Sequence, residues 1–193
     1  MEINGIKMII DRSQSDIDIA KSLIKKGFQN MTSDEKQSFL SGLKGAYNYS
    51  DFNRIEATAY YLANRLKDIW IESETLANEL GVAWDEIFNY PYDKYGFDDI
   101  STKYDWSVDD ILNKANRERY INNIKTILIS FIDDITDIPN SLEKMNFEDA
   151  NNIEKQLLLL NKKIVAAKNN NDNMMLNASK SWAYSGDVYG GEI

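Results

Sequence analysis

The chain has 193 residues, 43% of them hydrophobic, enough to build the core of one ordinary domain. It contains no cysteine and no histidine, which excludes disulfides, thiol or imidazole catalysis and zinc sites built on those ligands. A formal net charge of −9, with no basic stripe to offset it, argues against a nucleic-acid partner.

Residues 1–12 read as an N-terminal arm. Ile3, Ile6, Met8 and Ile10 alternate loosely, Asn4-Gly5 forms a turn signal, and the segment is a short strand or an extended arm. It lacks the basic start and apolar run of a secretory signal, and no stretch approaches the ~20 apolar residues that span a bilayer. Synthesis in the cytoplasm and no membrane partner are the expectations. A helix is predicted from Ser13 to Phe28, capped by Ser13 or Ser15, with Ile17, Ala20, Leu23 and Ile24 facing inward and Gly27 as the stop. Thr32 with Glu35 three residues on is a capping box, so a second short helix starts near Ser33, burying Phe39, Leu40 and Leu43.

Phe52, Ile55, Ala59, Leu62, Leu66 and Ile69 then step by 3, 4, 3, 4 and 3. That spacing marks a helix packed along its length, predicted from Asp51 to about Asp68 with Ser50 as N-cap. Ile69 to Leu80 either continues it or forms a short helix of its own, stopped by Gly81. Residues 82–106 are an irregular, aromatic-rich insertion, within which Phe97 to Lys103 could pair as a strand with the N-terminal arm. Ser107 with Asp110 signals another helix start. Ile121, Ile124, Leu128, Phe131, Ile135 and Ile138 repeat the same stepping until Pro139 ends it. Asn146 with Asp149 caps the last helix, and Ala150, Ile153, Leu157, Leu160, Ile164 and Ala167 form its stripe. Asn169 to Asn173 is a polar break expected to end or fray that helix.

Three matched stripes predict a mainly α fold, an antiparallel three-helix bundle with the two short N-terminal helices across one end. Because the Pro139–Asn146 link is short, the last two helices are expected to be antiparallel neighbours. The expected organisation is an arm (1–12), a helical domain (13–173) with its irregular insertion, and an extended aromatic tail (174–193).

No stretch carries a recognisable catalytic pattern. Tyr90, Tyr92, Tyr95 and Trp106 in the insertion, and Trp182, Tyr184, Val188 and Tyr189 in the Gly-punctuated tail, are candidates for docking a partner protein. Tyr and Trp give large contact area at low entropic cost. For the rings of the insertion, covering the end of the bundle is the preferred reading; for the tail, docking and folding back on the bundle stand level. The aspartates from Asp93 to Asp110 lack the spacing of a calcium loop, and Asp133-Asp134 point roughly 100° apart on a helix. The glycines match no phosphate-binding loop, so no cofactor and no metal are expected.

Several blocks go further. They are Asp11-Arg12 with Asp16-Ile17, Gly27, Met31-Thr32 with Glu35-Lys36, Leu43 to Asn48, and Asp51, Asn53-Arg54 and Glu56. TKYDWSVDDI, RERYINNI, NFEDANNIEKQLLLLNK and the ending SWAYSGDVYGGEI follow. Together they resemble a module of phage and prophage tail structural proteins from low-GC Gram-positive bacteria. The likeness runs from about Asp11 to the C-terminus, with residues 70–92 as an enlarged connection and Leu112 where that module has proline. The resemblance implies a non-enzymatic virion or tail-like-particle component, at the baseplate or the attachment of receptor-binding fibres. Its partners would be other tail proteins and further copies of itself in a symmetric particle. A cytoplasmic assembly chaperone or adaptor for a tail fibre, not retained in the particle, is the alternative. A carboxylate-based hydrolase of cell-wall sugar has no motif behind it.

Overall fold

The computed structural model describes residues 1–83, 100–107, 109–110, 112–129, 135 and 137–187, and for residue 144 and residues 178–187 the backbone alone. Two short strands, β1 (Glu2–Ile3) and β2 (Ile6–Lys7), pair antiparallel around the Asn4-Gly5 turn, where both residues adopt positive φ. Asparagine and glycine tolerate that conformation best, which is why the turn was visible in the sequence. Helix α1 (Gln14–Lys26) starts at a capping box made by Ser13 and Asp16 and stops at Gly27. Helix α2 (Ser33–Leu40) starts at the box made by Thr32 and Glu35. Both starts agree with the sequence reading.

The inward faces of these two helices do not. Ala20 and Leu23 are buried, but Ile24 is 60% exposed and Leu40 71% exposed, and α2 buries no residue at all. The α1–α2 pair therefore leans on the remainder of the molecule without sinking into it. One close approach anchors it: a Cβ built on Gly45 would lie 2.0 Å from the carbonyl oxygen of Asp16, so only glycine lets the two backbones meet there.

Helix α3 (Tyr49–Leu80) is one continuous rod of 32 residues. Its N-cap is Asn48, two residues before the predicted Ser50, with Asp51 closing the box. Gly81 ends it in the left-handed conformation. Helix α4 (Lys114–Leu128), capped by Asn113, starts later than the Ser107–Asp110 signal implies and ends well before Pro139. Ser107 and Asp110 do bond to each other, but they close a local turn. Phe131 lies outside the described residues. Ile135 and Ile138 still pack on the core, from the non-helical return segment.

Helix α5 (Phe147–Asp187) has 41 residues and runs straight through Asn169–Asn173. The expected break is absent because Asn171, only 3% exposed, donates to the Ser73 hydroxyl of α3 at 2.8 Å. Up to Asp187 the expected extended tail is helix; residues 188–193 lie outside the described residues.

All six predicted stripe residues of α3 are buried, as are five of the six in α5, with Ala167 half-buried. All of these except Ala150 form one core with Tyr120, Ile121, Ile124, Ile127 and Leu128 of α4. The pairs Arg54–Glu154, Glu72–Lys168 and Ser73–Asn171 show that α3 and α5 run in the same direction. Helix α4 runs with them. Residues 101–106 descend along α3, with Lys103 bonded at Glu56 and Trp106 at Asn53. Arg119 meets Glu56, and Asn123, one turn further on, reaches back up to Ser101. The chain then returns along α4 through Asn140 at Lys125 and Glu143 at Arg117. The expected antiparallel pairing of the last two helices is thus replaced by a parallel one. The physical reason is that residues 137–146 run back along α4, from Lys125 to Arg117, so α5 begins beside the start of α4.

No strand forms over residues 100–103, residues 97–99 lie outside the described residues, and among the described residues β1 pairs only with β2. The backbone of this extended segment is satisfied by side chains of α3 and α4 instead.

Candidate functional site

Two buried polar networks interrupt the apolar core, and both are built at the N-terminal ends of the long helices. In the first turns of α3, Asp51 and Arg54 stand three residues apart and so share a face. On α5, Asn151 and Glu154 do the same. The arm supplies Arg12, 4% exposed, whose terminal nitrogens contact Asp51 and Glu154, each at 2.8 Å. Arg54 contacts the same two carboxylates, each at 2.7 Å. Asn151 completes the clasp by accepting from the Arg12 N–H at 3.0 Å and donating to the Arg12 carbonyl at 2.9 Å. The backbone N–H of Ile9 also donates to Glu154. Beside this network the hydroxyls of Tyr47 and Tyr120 share a hydrogen bond, and burial raises the pKa of both, so both stay protonated.

The second network is centred on Glu56, 2% exposed. Its carboxylate accepts from Arg119 at 2.6 Å, from the Trp106 indole N–H at 3.0 Å and from the Lys103 backbone N–H at 2.6 Å. Burial raises the Glu56 pKa, and these donors oppose that shift. Asn53 brackets the Trp106 backbone, accepting from its N–H at 2.7 Å and donating to its carbonyl at 2.8 Å.

The chemistry available here is limited. In the first network two guanidinium groups face two carboxylates, so each charge is matched and each carboxylate is already occupied by donors. Arg12 and Tyr47 also line a cavity of about 530 Å³, together with Lys21, Asn146 and Glu148. Arg12 enters it with its terminal nitrogens already paired. No group of carboxylates able to hold a metal ion occurs among the described residues. None of the described helices is long and apolar enough to cross a membrane.

Of the residues predicted to dock a partner, Trp106 is placed in the core, 5% exposed, with its ring against Phe52 and its N–H spent on Glu56. It tethers the 100–107 segment to α3 and presents no docking surface, which corrects the reading of Trp106 as a partner-binding ring. Tyr90, Tyr92 and Tyr95 lie outside the described residues, as do Val188 and Tyr189. Trp182 and Tyr184 fall in the last turns of α5, where only the backbone is described.

The sequence reading found the network residues as motif letters and missed their job. Arg12, Asp51, Asn53, Arg54, Glu56, Tyr120, Asn151 and Glu154 all sit inside the blocks that carry the resemblance. A usable signal was present: charged residues stand directly beside stripe positions, Glu56 after Ile55 and Glu154 after Ile153, on faces that should be dry. No protein-family model, curated protein or solved structure matches the chain.

Proposed function

We propose that this protein is a non-enzymatic structural component of a phage tail or contractile tail-like particle, a baseplate or fibre-attachment subunit. The supporting observation is where the motif residues lie. The polar letters of the DR, NRIE, RERY and NNIEK blocks join the arm, the 100–107 segment and three long helices, with their charged ends spent on one another. Residues used in this way preserve a shape, which is what an assembly subunit is selected to present. Two rods of 32 and 41 residues packed side by side make a stiff body about 50–60 Å long, suited to spacing neighbours in a particle.

Quantitative mass spectrometry of purified tail particles tests the proposal. A fixed stoichiometry, in multiples of three or six per tail, is the expected result. Finding the protein only in the soluble lysate would overturn the structural role and favour an assembly chaperone.

A further inference from the structure

The α1–α2 pair and the outer face of α5 carry surfaces of opposite charge. Between α1 and α2 lies a groove of about 660 Å³ with apolar side chains from Ile19, Leu23 and Leu43. Ile19 is 54% exposed, although it sits on a helix that the fold leaves half-uncovered. Three acidic residues line the same groove: Asp18, Asp34 and Glu35. Lys26 neutralises Glu35 through an ion pair, so Asp18 and Asp34 leave the groove negative. An apolar groove with an acidic border selects an apolar knob flanked by cations.

Helix α5 carries that pattern. Lys155, Leu159, Lys162 and Ala166 stand at positions i, i+4, i+7 and i+11, and all four are exposed, with Leu159 40% and neighbouring Val165 47% exposed. The stripe is about 16 Å long and contains no acidic residue from 155 to 166, in a chain whose net charge is −9. Lys155 and Lys162 have no ion-pair partner among the described residues, and they stand about one turn to either side of Leu159.

We propose that a second copy of this chain occupies the groove, head to tail, with Leu159 of one copy seated among Ile19, Leu23 and Leu43 of the next. Lys155 and Lys162 then face Asp18 and Asp34. A two-fold pairing of like surfaces is disfavoured, because groove on groove opposes aspartates and stripe on stripe opposes lysines. In such a pair one copy keeps its stripe free and the other its groove, so the contact repeats and generates a ring or a filament. The pairing stands independently of the tail assignment.

Sedimentation velocity of the full chain over a concentration series, at about 0.05 M and about 1 M salt, tests the contact. The expected result is a mass that rises with concentration at low salt and falls toward the monomer at high salt. Lys155→Glu with Lys162→Glu, and separately Asp18→Lys with Asp34→Lys, should each weaken association by more than about a hundredfold. Far-UV circular dichroism reports whether each variant keeps its helices, and the α5 pair alone suffices if the α1–α2 pair does not. An equimolar mixture of the two variants should associate again, because each supplies what the other has reversed. A wild-type chain that stays monomeric, or a mixture that does not associate, would overturn the proposal. Saturable binding of a foreign lysine- and leucine-rich helical peptide by a strictly monomeric chain would give the groove to another protein.

Discussion

Arg12 and Arg54 each grip both Asp51 and Glu154, so removing any one charge strands an opposite one in the core. Stranding a buried charge costs far more than losing an exposed pair. Glu154→Gln is therefore expected to lower the unfolding free energy by about 3–5 kcal/mol, read from the urea midpoint at unchanged slope. A change within about 1 kcal/mol would mean that the pairs carry no more than exposed ones do. Glu56 makes a different demand. Burial raises its folded pKa above the ordinary 4.5. The folded chain then holds a proton that the unfolded chain has released. Its contribution to stability is full below 4.5 and is lost as pH rises through the folded value. Carboxyl NMR should place the Glu56 midpoint above 4.5, and Glu56→Gln should remove that part of the stability slope. A midpoint at or below the ordinary value would show that Arg119, Trp106 and the Lys103 N–H outweigh burial.

At the scale of elements, three starts and the glycine stops at Gly27 and Gly81 were legible, whereas the start of α4 and the ends of α4 and α5 were not. The Ser13–Asp16, Thr32–Glu35 and Asn146–Asp149 reciprocal pairs lie three residues apart in sequence, and each forms in the fold. A helix end depends on what the last turns meet across space. Helix α5 continues through five polar residues because Asn171 finds Ser73 and Lys168 finds Glu72. Asn170→Pro, at an exposed position one residue before that contact, discriminates between the two readings. In a continuous helix it should cost about 3 kcal/mol and lower the melting temperature. An unchanged melt would restore the break inferred from composition. Trp106 teaches the same lesson from the other side. In a tract of tyrosines and aspartates it reads as a docking ring or a cover for the bundle, and Phe52 and Glu56 decide for the bundle.

For the whole molecule, the arm matters beyond its size. It inserts Arg12 between two helices that are separated by about a hundred residues of sequence and covers Glu154 with the Ile9 N–H. Deleting residues 1–12 leaves Arg54 alone to balance two buried carboxylates. The expected outcome is a loss of at least about 3 kcal/mol, measured by urea unfolding of the truncated chain, with helices still present by circular dichroism. An equally stable truncated protein would make the arm a mere appendage. Helical class, the capping boxes that start α1, α2 and α5, and the apolar stripes of α3 and α5 followed from the sequence alone, because each rests on residues three or four positions apart and on local hydrogen bonds. The parallel course of α4 and α5, the unbroken α5 and the partners of Arg12 and Glu56 were decided only by tertiary structure. Those features rest on contacts between residues fifteen to a hundred and forty positions apart, and local periodicity holds no record of which buried charge meets which.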